Sequence, residues 1–193
     1  MCSSIRFGGS RSPDFPVDLE SGENQEGDSG MDEKRMMLRH FLAALAYRTQ
    51  KALRDAPADF AEFRAGGKVR TPHELVSHMD SVLGYSRTFF IGGSYRPPML
   101  PFDEAVAHFH EILGDLARHL EEGTEFQGIT AEVLLQGPFS DAMTHAGQLA
   151  MLRRLAGDPV APENFIFAAI SPANLGPNQA LPVSPDKDWP EKP

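Results

Sequence analysis

The chain has 193 residues, of which 41% are hydrophobic and 23% charged, and a formal net charge of −9. That length suits one domain with a core of its own, and the acidic balance argues against the basic surface that nucleic acid requires. A single cysteine, Cys2, excludes an internal disulfide framework and a cysteine metal cluster.

No apolar run approaches the ~20 residues of a membrane span. The N-terminus lacks the apolar segment of a secretory signal. The expectation is a cytoplasmic protein that meets neither membrane nor nucleic acid.

Residues 1–30 are rich in Gly, Ser, Pro and acids, with Arg6 and Arg11 against six carboxylates. Too few apolar side chains offset the entropy of ordering, so this stretch reads as a disordered head. Met31 opens a clean helical pattern and is a candidate translation start. The first helix is expected from about Asp32 to Asp55. Leu38, Phe41, Leu42, Leu45, Thr49 and Leu53 recur along it as one stripe. Residues 56–70 form a connection broken at Gly66-Gly67.

The second helix has a strong start. Thr71 can cap, Pro72 suits the first helical position, and Glu74 completes a capping box. Its expected stripe is Leu75, His78, Val82, Tyr85 and Phe89, which puts His78 among core positions. Gly92-Gly93 ends it, and SYRPPMLP makes a stiff extended crossing. A third helix runs from Phe102 or Asp103 to Leu120, with Val106, Phe109, Leu113, Leu116 and Leu120 as its seam. Residues 121–136 are looser, with a short helical turn near Thr130–Gln136.

Residues 137–157, GPFSDAMTHAGQLAMLRRLAG, read as one final helix. Pro138 is acceptable in a first turn. Gly157 and Asp158-Pro159 stop the helix, because glycine takes a left-handed cap and proline cannot continue it. Asp141 and His145 are four apart and share a face with Leu149 and Leu152. Residues 158–193 carry eight prolines. They read as an extended tail that packs Phe165, Ile166, Phe167 and Ile170 back on the helices. The pattern describes an all-α four-helix bundle over 31–157, between the acidic head and the proline-rich tail.

Helical geometry, at about 100° per residue, sorts the seven histidines. His78 and His145 fall on inward stripes of different helices. His73 lies roughly 140° around its helix from His78. His108 and His119 are about three turns apart on one helix and cannot share a metal. His40 and His110 read as surface residues, as does the His108–Phe109–His110 face. Arg153 and Arg154 read as a pair complementing a helix C-terminus.

His78, Asp141 and His145 are therefore the candidate site. Two imidazoles and a carboxylate suit zinc, nickel, manganese or ferrous iron. Three protein ligands leave a position for water or substrate, as in catalytic sites. The same trio also reads as a buried hydrogen-bonded cluster in a non-catalytic, metal-free binding or stress-related module. A nonheme iron oxygenase fits the ligand types, but nothing else suggests a co-substrate. No general base stands out; Tyr85, on the His78 stripe, and His73 are the nearest candidates. There is no P-loop, nucleophile elbow or dinucleotide fingerprint.

TPHELVSHMD and FSDAMTHAGQLAMLRRLAG resemble the DinB/YfiT-like superfamily of metal-dependent enzymes, and GDPVAPENFIFAAISPANLGPNQALP resembles the tail of many members. The likeness covers roughly residues 31–182. It implies a four-helix bundle of up-down-down-up order, often a homodimer. It implies a divalent metal held by three histidines, one from helix two and two from the last helix. Carried over, those positions are His78, Asp141 and His145, with aspartate where the commoner pattern has histidine. The resemblance further implies a transferase using a low-molecular-weight thiol such as mycothiol or bacillithiol, or a hydrolase.

Overall fold

A computed structural model of the chain describes residues 27–186, with side chains from residue 33 onward. Most of the expected head, residues 1–26, and the last residues of the tail, 187–193, lie outside the described residues. The described part is all-α, with an isolated bridge between Glu163 and Pro185 and no β-strand. Among the described residues, no helix is long and apolar enough to cross a membrane.

Four long helices make the core: α1 (Gly27–Leu53), α2 (Pro72–Ile91), α3 (Phe102–Glu121) and α5 (Ser140–Leu155); a short α4 (Ala131–Leu134) precedes α5. α1 packs on α3 and α5, and α2 packs on the same two helices. On α1 the expected stripe is inward: Leu38, Leu42, Leu45 and Thr49 are buried. On α3 the buried seam is Phe109, Leu113, Leu116 and Leu120, while Val106 is half-buried.

The start of α2 forms as its sequence dictates. The Glu74 amide donates to Thr71 Oγ1 at 3.1 Å, and the Thr71 amide donates to Glu74 Oε2 at 2.8 Å. The face of α2 differs from expectation. Leu75, Val76, Met79, Leu83 and Phe90 are buried, whereas Val82 and Phe89 are half-buried and Tyr85 is 54% exposed. Adjacent apolar pairs at 82–83 and 89–90 offer two nearly equivalent stripes, and tertiary packing selects the second. The crossing after α2 lies close: a Cβ on Gly84 would come within 2.2 Å of the Tyr95 ring. Glycine is required there because the aromatic ring occupies the space of a side chain.

The last helix is shorter than expected. Regular geometry begins at Ser140, after a kinked π-type turn over Leu135–Phe139 in which Gly137 leaves helical angles. Pro138 sits in the kink, where its missing N–H and ring break the ladder. Ser140 Oγ donates to the Leu135 carbonyl at 2.7 Å and takes up one released acceptor. At the other end Gly157 has φ +80°. The Asp158 amide donates to the Arg153 carbonyl and the Gly157 amide to that of Arg154, at 3.0 and 3.2 Å. This is the Schellman arrangement the glycine permits.

Arg153 does more than complement a helix end. It is 3% exposed. It donates to the carbonyls of Ala52 and Arg54, each at 3.0 Å, and to the Asp158 carboxylate. It thus ties the end of α1 to the end of α5. In the tail Phe165 packs edge-on against Tyr47, beneath Arg48. Ile166 and Phe167 instead face solvent at 81% and 60% exposure, contrary to expectation. The tail is held by polar contacts as well: Tyr47 donates to Glu163 at 2.8 Å and Lys51 at 3.0 Å.

Candidate metal centre

His78 is carried by α2, and Asp141 and His145 by α5, which packs against α2. The capping box sets where α2 begins and so the height at which His78 projects. The kink before Ser140 places Asp141 in the first turn of α5, where the helix dipole favours a carboxylate. Fully buried Ala142 and small Ala146 on the same helix leave room for close helix packing.

The structure brings the three residues together. His78 Nε2 lies 3.6 Å from Oδ2 of Asp141, and His145 Nε2 lies 3.5 Å from Oδ1. The imidazole rings are 4.8 Å apart between centroids and nearly perpendicular. One ligand atom from each residue falls within 4.8 Å of the others, and this trio could hold a metal ion. Tetrahedral zinc ligands stand about 3.3 Å apart, from metal–ligand bonds of ~2.0–2.1 Å. The two histidine–aspartate separations are within a few tenths of an ångström of that, each to a different Asp141 oxygen.

The hydrogen bonds favour ligation. His145 is 7% exposed and its Nδ1 lies 2.8 Å from Gln148 Oε1. An amide oxygen can only accept, so Nδ1 carries the proton, and in the neutral ring Nε2 then carries the lone pair. That Nε2 is buried with no hydrogen-bond partner. A buried, unpartnered lone pair is costly unless something occupies it. Gln148 is the outer partner that orients a ligating histidine. The sequence reading missed it, although its i, i+3 spacing from His145 was a usable signal.

His78 is held toward its neutral form. Burial lowers its pKa most, followed by the nearby positive charge of Arg70 and by His145, against an opposing pull from Asp141. Neutral imidazole is the ligating form. Asp141 is exposed and reaches each imidazole with a different oxygen, so the trio opens to solvent on its side.

The remaining candidates lie elsewhere. Tyr85 is exposed and packs edge-on against Phe89 at 4.9 Å. His73 Nε2 is 2.8 Å from the Leu100 carbonyl and packs on Phe102, so it anchors the crossing. His40 is exposed as expected. His110 is not a surface residue: it is 5% exposed, with Nδ1 2.7 Å from the Leu175 carbonyl and Nε2 3.3 Å from Gln50. His108 is half-buried, and its Nδ1 lies 3.1 Å from Asp80, whose carboxyl burial pushes up to about 6. The 108–110 face is thus a set of interhelix and tail contacts rather than a solvated surface. His119 is also buried, stacked on Phe90.

A comparison with protein-family models, curated proteins and solved structures found no match to this chain. The functional reading therefore stands on the site and on the motif resemblance.

Proposed function

We propose that the chain is a metal-dependent enzyme of the DinB-like type, acting as a thiol-dependent S-transferase or as a small-molecule hydrolase. The carrying observation is His145, whose Nδ1 is occupied by Gln148 while its buried Nε2 has no hydrogen-bond partner beside His78 and Asp141. A structural hydrogen-bond cluster would be expected to satisfy that nitrogen. The donor set suits zinc, and equally nickel, manganese or ferrous iron.

A divalent ion held there would supply Lewis acidity, lowering the pKa of a thiol or water that reaches it. The protein's part is positional. Gln148 fixes the His145 ring, burial holds His78 toward its neutral form, and the exposed side of Asp141 leaves an approach for substrate. The fold reading that accompanies this is a four-helix bundle of up-down-down-up order in the cytoplasm, with homodimerisation as in relatives. The packing of α1 and α2 on the same two partners supports a non-sequential order.

The test is turnover by zinc-loaded protein against two substrate sets: cysteine with a bimane electrophile, and p-nitrophenyl esters. Zinc-dependent turnover of either kind, lost in Asp141→Ala, supports the reading. Rates unchanged by zinc removal and by Asp141→Ala contradict it.

A further inference from the structure

A cavity of about 400 Å³ lies between the segment entering α2 and the last two turns of α5. Its volume is inside the ~300–1,000 Å³ range of small-molecule sites. Leu75, Leu152, Met151, Leu155 and Val69 form its apolar walls, and His145 and Gln148 line it on the side of the candidate metal centre. Val69, Met151 and Leu155 are each large, apolar and exposed around it. Apolar side chains clustered at one opening beside a polar site are the pattern of a ligand pocket.

Arg70 also lines this cavity. Arg70 is exposed and makes no hydrogen bond or ion pair among the described residues, although its charge is felt by Glu74. Glu74, the acid four residues on, is engaged by Arg64 and by the Thr71 amide. Arg70 and His145 line the same cavity, so the guanidinium shares this space with the trio. A guanidinium beside a cation-binding trio is electrostatically adverse on its own. A divalent ion offset by one carboxylate leaves one net positive charge, and Arg70 adds another. An anion in the cavity relieves both.

We propose that this cavity binds a small amphipathic carboxylate, with its apolar body against the leucine and methionine walls and its carboxylate on Arg70. Arginine suits this task because its planar fork matches both carboxylate oxygens. The inference rests on the enzyme reading above, since it names the class of substrate the centre acts on. Its test reads binding, so the two can fail separately.

The experiment is calorimetric titration of the full chain, zinc-loaded and metal-free, with 4-phenylbutyrate and its uncharged amide. The acid is expected to bind at least tenfold more tightly than the amide in both forms. Arg70→Met is expected to remove that preference without changing zinc content, and Arg70→Lys to keep part of it. Equal affinity for acid and amide overturns the proposal. So does a preference that survives Arg70→Met, which would put the anion on the metal alone. Failure of both probes to bind, as when a second copy of the chain covers the cavity, overturns it too. Failure to take up zinc overturns the enzyme reading instead, and the metal-free titrations then decide the cavity by themselves.

Discussion

Gln148 accepts the Nδ1 proton of His145 at 2.8 Å, one turn along the same helix, and so fixes which ring nitrogen faces His78 and Asp141. Outer partners of this kind are typically worth ~10–100-fold in metal affinity. Gln148 is exposed, so its replacement should leave the fold intact. Gln148→Leu is expected to weaken zinc binding by about that factor, read by competition with a chromophoric chelator. Gln148→Glu keeps an acceptor and should retain most of the affinity. Equal affinity in Gln148→Leu and wild type would remove the orienting role.

What could be read in the sequence was whatever is local. The Thr71–Glu74 cap is complete within four consecutive residues, and the Gly157 stop within three. The i, i+4 pair of Asp141 and His145 needed only helical geometry, and His78 joined them through its place on α2 and through the motif resemblance. What could not be read was settled by partners distant along the chain. His110 looks like a surface residue until Leu175 and Gln50 arrive, and Arg153 looks like a helix-end charge until α1 ends beside it. The face of α2 is not fixed by periodicity alone, because Val82-Leu83 and Phe89-Phe90 offer two stripes. Pro138 fits a regular first turn by its local chemistry, whereas the backbone kinks around it.

Arg153 gives a second prediction. It is buried and donates to two carbonyls at the end of α1 and to Asp158 at the end of α5. Arg153→Met keeps the side-chain bulk and strands those carbonyls, at roughly 1–3 kcal/mol for each buried unsatisfied group. A loss of about 3 kcal/mol is expected as a lower urea midpoint. Zinc stoichiometry should not change, because none of these contacts touches the trio. An unchanged midpoint would mean that this tie carries no stability.

The pH dependence of stability should report His110. Burial lowers its pKa below the ordinary value of 6.5, partly opposed by its bond to the Leu175 carbonyl. Below about pH 6.5 the unfolded chain takes up a proton at this position that the folded chain resists. The unfolded state then binds more protons, so stability falls as pH drops from 6.5 toward the folded pKa. Denaturant midpoints measured from pH 7.5 to 5 should therefore fall less steeply in His110→Gln than in wild type. Parallel profiles would show that His110 does not contribute to the slope.

If His78, Asp141 and His145 are metal ligands, the metal content of the protein depends on each of them. The measurement is elemental analysis of protein purified without a nickel column and then offered zinc, on wild type, His78→Ala and Asp141→Ala. Asp141 is exposed, so its removal should cost about 0.5 kcal/mol of stability or less, and lost metal will not be confused with lost fold. About one metal per chain is expected in wild type, with a large loss in both folded variants. Wild-type protein that stays folded without metal and takes up none, or variants that keep full stoichiometry, would contradict the ligand assignment.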